Sequence, residues 1–204
     1  MFSGVEVMIK DPLPNIDINE VLENSFSKIP KKFKTGIKKI KIGQFEELEK
    51  RKIQAMFRDE TIYLTNKQSS NSDMIDDIIH EIAHSVEEIY KEKIYSDGSI
   101  RNEFLQKRKN MWMLLRDKGI QIELDKFLNL EYDEEFDEFL YREVGYDVLS
   151  ILLSNIFYSP YAATSIREYF ANGFEAFFMK EDIDRFMKVS PSIYHKLVSM
   201  MGEE

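Results

Sequence analysis

Residues 71–95 read NSDMIDDIIHEIAHSVEEIYKEKIY. Asn71, Ser72 and Asp73 are N-cap residue types. Ile75, Ile78, Ile79, Ile82, Ala83, Val86, Ile89 and Tyr90 then recur at helical spacing, which predicts a half-buried helix. A polar flank runs beside the apolar stripe and carries His80 and His84 with Asp73, Asp76 or Asp77, Glu87 and Glu88. The chain has three histidines, and two of them stand four apart on this flank.

On the N-terminal side the pattern changes to short strands. Residues 5–10, 37–42, 52–57 and 61–65 read as strands, with Asp59-Glu60 as a tight turn between the last two. Asp17 is placed to cap a helix reaching Lys28, with Ile18, Val21, Leu22, Ser25 and Phe26 on its inner side. Residues 28–41 hold seven lysines, and the segment reads as a strand edge that charge protects from aggregation. Beyond Gly98 the chain reads as helical. A helix over 100–118 turns Ile100, Phe104, Leu105, Met111, Trp112 and Leu115 inward. Shorter helices fill 121–158, a further helix covers 163–179, and Pro191 opens the last one. The acidic run Glu131–Glu138 reads as a solvated helix face.

The fold class is therefore α+β. A small, mainly antiparallel sheet packs on the 71–95 helix and a mostly helical C-terminal half follows. The expected organisation is a single domain over 1–204, comprising a sheet-containing part (1–66), the 71–95 helix, a helical insertion (100–158) and C-terminal helices (160–204).

Composition narrows the function. The chain has 204 residues, a net charge of −9 and no cysteine, which excludes thiol nucleophiles and Cys-based metal sites. The acidic balance speaks against nucleic-acid binding. No Gly-rich phosphate motif occurs, and no apolar run approaches the roughly 20 residues of a membrane span. Residues 1–10 lack the features of a signal peptide, so the expected location is cytoplasmic, or secreted if the chain is a processed mature form. Oligomeric state has no signature here.

The chemistry sits in His80-Glu81-Ile82-Ala83-His84. Four residues advance a helix by about 6 Å and slightly more than one turn, so both imidazoles leave from nearly one face. Two ring nitrogens can then bind one Zn²⁺ at about 2.0–2.1 Å. Glu81 is rotated by about 100°, off the metal but beside water held there, where it can act as a general base.

A catalytic zinc needs a third protein ligand. The long metzincin pattern would require Gly and His at positions 87 and 90, where this chain has Glu87 and Tyr90. Glu88 lies about 12 Å along the axis from His80, too far to share an ion. The aromatic-rich helix over 163–179 offers Glu168 and Glu175, about 10.5 Å apart, so only one can serve. Spacing favours Glu168, with Glu143 and His195 as further alternatives.

These residues resemble the anthrax lethal factor-like zinc metallopeptidase family, which includes the Pro-Pro endopeptidases. The family pattern is HExxH, then a tyrosine seven residues before a ligand glutamate in an E-[YF]-F-A segment. This chain carries HEIAH, Tyr161 and Glu168-Tyr169-Phe170-Ala171. The resemblance implies a zincin-like fold, zinc on His80, His84 and Glu168, Glu81 as base, and Tyr161 supporting the oxyanion. A donor aimed at that oxygen stabilises charge found only in the transition state. The chain departs from the family in a longer interval between His84 and Glu168, in Arg167 before the ligand, and in the position of Trp112 inside the insertion.

The expected function is a gluzincin-type metalloendopeptidase acting on a protein or peptide, hydrolysing the bond with a zinc-bound water activated by Glu81. Substrate is expected to lie extended beside residues 61–65. The alternatives are an inactive metallopeptidase-like recognition module, from a toxin or a phage-encoded system, and a helical structural protein whose HExxH is accidental.

Overall fold

A computed structural model describes residues 1–120, 122–180 and 182–202. The chain divides into two compact units, Met1–Tyr90 and Lys91–Glu204.

The first unit runs β1 (Glu6–Ile9), α1 (Ile18–Lys28), a 3₁₀ turn at Lys31–Lys34, β2 (Lys39–Gly43), α2 (Glu46–Arg51), β3 (Ala55–Arg58) and β4 (Thr61–Thr65), then enters α3 (Asn71–Tyr95). Asp17 caps α1, its carboxylate accepting from the Asn19 and Glu20 amides. Asn71, at the start of α3, accepts from the Asp17 amide at 3.0 Å and donates to Glu20 at 2.9 Å, so one side chain fastens two helix starts together.

The sheet order is β1-β2-β4-β3. Here the expected antiparallel sheet is corrected to a mixed one. β1–β2 and β2–β4 are parallel, and only β3–β4 is antiparallel. Parallel neighbours need a long return connection, and α1 supplies the one between β1 and β2. β3 and β4 are joined by Asp59 and Glu60, both left-handed (φ 50° and 56°), as a two-residue hairpin requires.

This topology corrects two further expectations. β4 lies between β2 and β3, so residues 61–65 have no free edge for a substrate. β2 is also internal, so the lysine-rich segment is not a sheet edge. Lys38 and Lys39 instead pair with Glu60 and Glu6 at 3.0 and 3.3 Å.

Alternation along β2 and β4 drives Ile40, Ile42, Ile62 and Leu64 to one face, each fully buried. Ile40 stands opposite Ile62, and Ile42 opposite Leu64. Burying such a side chain stabilises by about 1.5–3 kcal/mol. On the other face Lys41 lies over the Tyr63 ring at 5.3 Å. In α3 the residues Met74, Ile78, Ile79, Ile82, Ala83 and Val86 are fully buried. Ile89 is 49% exposed, against the expected stripe, and the helix kinks at the next residue, Tyr90 (φ −111°, ψ 20°). Gly36 is a close-approach glycine, since a Cβ there would meet the Ser85 hydroxyl and come within 2.7 Å of Ile89 Cδ1.

The second unit is helical: α4 (Ser99–Asp117), α5 (Leu124–Leu128), α6 (Glu134–Glu138), a π-helical turn (Phe139–Val144), α7 (Tyr146–Leu152), a 3₁₀ turn (Tyr161–Ala163), α8 (Ile166–Met179), α9 (Ile183–Val189) and α10 (Pro191–Gly202). Its core is aromatic, with Phe104, Phe127, Phe157, Phe170, Phe174 and Phe186 almost fully buried. α8 and α10 approach closely at Gly173, where a Cβ would lie 2.7 Å from Ile193 Cγ2. Leu105 and Trp112 of α4 are only half-buried, while Lys107 and Arg108 are buried in their stead. The acidic run keeps its glutamates in solvent and buries Phe136. Among the described residues, no helix is long and apolar enough to cross a membrane.

Candidate metal centre

The cap of α3 lies one residue earlier than the sequence indicates. The Ser70 hydroxyl, not a residue of 71–73, accepts the Asp73 amide at 3.1 Å. From that start the apolar stripe fixes the rotation of the helix, and the same rotation sets His80 and His84 side by side. Their ring centroids are 5.1 Å apart with planes at 77°. His80 is half-buried, and His84 is 9% exposed. Glu81, between them in sequence, is 6% exposed. Glu87 is 4% exposed, and its carboxylate lies 3.6 Å from His84 Nδ1. That separation is too long for a hydrogen bond. Sequence reading put Glu87 and Glu88 together on one polar flank, but Glu88 is exposed and only Glu87 is buried.

Glu168 is set by the start of α8. Ser165 is the N-cap, and its hydroxyl accepts the Glu168 amide at 3.1 Å. The spacing Ser165-x-x-Glu168 is that of a capping box. A carboxylate in the first turn is favoured there by the helix dipole.

His80, His84 and Glu168 form a group that could hold a metal ion. Each offers one ligand atom, and these atoms all lie within 4.8 Å of one another. Ligands of a tetrahedral zinc stand about 3.4 Å apart. Two imidazoles and one carboxylate, with no cysteine in the chain, suit a divalent first-row metal. The other candidates lie elsewhere: Glu143 is exposed in the π-helical turn, His195 is exposed on α10 beside the Tyr194 ring, and Glu175 is half-buried on α8.

Tyr161 opens the 3₁₀ turn before α8 and is half-buried. It lies close enough to Tyr146 to oppose ionisation of that phenol. Burial is the larger cause that holds the Tyr146 proton on, and a 2.7 Å hydrogen bond donated to Asp137 adds to it. Tyr132 donates to the other Asp137 oxygen at 2.9 Å.

No protein-family model, no curated protein and no solved structure matches this chain.

Proposed function

We propose that this protein is a zinc-dependent metalloendopeptidase of the gluzincin type, with a zincin-like catalytic fold and a protein or peptide substrate. The observation that carries the reading is the convergence of His80, His84 and Glu168, with the buried carboxylate of Glu81 on the same helix as both imidazoles. The motif likeness to the lethal factor-like peptidases points the same way.

His80, His84 and Glu168 would hold the ion. When bound, zinc supplies a Lewis acid that polarises the scissile carbonyl and acidifies the attacking water. Glu81 takes the proton from that water and delivers it to the leaving amine nitrogen. The Tyr161 hydroxyl donates to the oxygen on which negative charge develops.

The free antiparallel edge of the sheet suits an extended substrate. The Thr65 amide donates to the Gln54 carbonyl at 2.8 Å, which fixes the phase of the β3–β4 ladder. Main-chain groups of Met56 and Arg58 therefore face β4, and those of Ala55 and Phe57 face outward, free to pair with a peptide.

The test is metal analysis of the purified chain, followed by a quenched-fluorescent peptide library with and without chelator. Cleavage abolished by chelator and restored by one equivalent of zinc is the expected result. A zinc-loaded chain that cuts nothing overturns the reading. Glu168→Ala should lose at least about tenfold in zinc affinity, and Glu175→Ala should retain it. Equal retention in the two variants removes Glu168 from the ligand set.

A further inference from the structure

Residues 154–164, SNIFYSPYAAT, form an irregular strap between α7 and α8, and Tyr161 lies within it. Its regular structure is one 3₁₀ turn at Tyr161–Ala163, so most carbonyl groups of the strap still need donors. Three cationic side chains supply them. Arg185 of α9 donates to the carbonyls of Ser154 and Tyr158, both at 3.1 Å, and of Phe157 at 3.5 Å. Lys107 of α4 donates to the Ile156 carbonyl at 2.5 Å and to that of Val189. Arg108 donates to Ala163 at 2.5 Å and Thr164 at 3.3 Å, and its other terminal nitrogen reaches the Lys126 carbonyl at 2.6 Å.

Aromatic rings complete the cradle. Arg185 lies 4.6 Å from the Tyr158 ring centroid, Lys107 lies 5.7 Å from that of Phe157, and Arg108 lies 4.0 Å from that of Phe136. None of the three cations forms an ion pair with a carboxylate among the described residues. Burying such charge is costly unless strong hydrogen bonds compensate it. Here most of that compensation goes to one stretch of backbone, and the Val189 and Lys126 carbonyls take the rest. The strap adds its own bonds, from the Thr164 hydroxyl to the Tyr161 carbonyl at 2.8 Å and from the Ala162 amide to the Ser159 hydroxyl at 3.3 Å.

We propose that Lys107, Arg108 and Arg185 form a cationic clamp that holds strap 154–164 in one conformation, and that they are positioning residues for the Tyr161 hydroxyl. The second part rests on the reading of Tyr161 as the oxyanion donor. It also gives the segment read as an insertion a task in the reaction.

Arg185 is the residue to test, because it is half-buried and Arg108 is too deeply buried to remove safely. Amide hydrogen exchange of Arg185→Met, measured on the full chain, should show at least tenfold faster exchange confined to 154–164, and Arg185→Lys should restore part of the protection. Unchanged protection overturns the clamp, and so does loss spread evenly over α8 and α9. With the peptide best cut from the library, Tyr161→Phe should lower kcat by about 10²-fold. Arg185→Met should lower kcat by about tenfold with KM and zinc affinity unchanged. The double variant should fall no further than Tyr161→Phe alone. Multiplicative losses would overturn the positioning role. A wild-type chain that cuts no peptide sinks the peptidase reading and the positioning role with it, and the exchange experiment still judges the clamp.

Discussion

Among the described residues, the buried charge-bearing side chains of unit 1–90 are Glu81, His84 and Glu87, all on α3, whereas those of unit 91–204 are Lys107 and Arg108, adjacent on α4. The first set consists of acceptors and a base, groups that are costly to bury unless a cation or a proton comes to them. The second set consists of cations bonded to carbonyl oxygens through their terminal nitrogens, with the Arg108 Nε left without a hydrogen bond. The difference teaches how to separate chemistry from scaffolding. Buried acids and an imidazole gathered on one helix mark a candidate site, and buried cations bonded to backbone carbonyls belong to the frame of their own unit.

Replacing one member of each set gives the sharpest contrast. Glu81→Gln should lower turnover by about 10²–10⁴-fold while zinc content and unfolding midpoint hold. Arg108→Met should do the reverse to stability, costing about 2–4 kcal/mol in urea unfolding, because three carbonyl groups lose their donor. A stable Arg108→Met chain, or an Glu81→Gln chain that unfolds early, breaks the comparison.

A second contrast uses pH. Burial pushes the Lys107 ammonium down to about 8, with Glu103 opposing the shift. The unfolded chain keeps that proton up to about 10.5, the ordinary value. Between these limits the unfolded state binds more protons, so stability rises with pH from about 8 to about 10.5 and the gain is lost as pH falls through 8. The urea midpoint of the wild type should therefore climb across this window more steeply than that of Lys107→Met. Parallel curves would mean that the ammonium is not held at a cost.

The smallest effects should be the same in both units, because they are local. α2 ends on Lys52 (φ 55°) and α8 on Lys180 (φ 58°), both left-handed. Lys52→Gly and Lys180→Gly should each gain about 0.5–1 kcal/mol in thermal or urea unfolding. A gain in one only would mean that tertiary strain, not the cap, sets the conformation there.

Much of the frame was legible before any coordinates. α1 follows from Asp17 and the 3.6-residue spacing of Val21, Leu22 and Phe26, and Pro191 starts α10 where its missing amide does no harm. The strand at 61–65 was placed to the residue. What sequence misread was pairing. Nothing in β1 or β2 records whether the neighbour runs parallel, because that choice depends on where α1 delivers the chain. The six-residue helix α2 was also missed, since its run of glutamates and lysines carries a single buried anchor, Leu48.

The amino-acid order alone determined that the two imidazoles of HExxH would leave one helix from nearly one face beside a buried isoleucine stripe, because four residues make slightly more than one turn. It also marked Glu168 as the best-spaced partner, without being able to bring it there. Tertiary structure decided that Glu168 and the two histidines converge, that β3 and not β4 offers the open edge, and that Lys107 and Arg108 turn inward to hold a strap of backbone. Each of these depends on contacts between residues distant in sequence, and local periodicity does not encode such contacts.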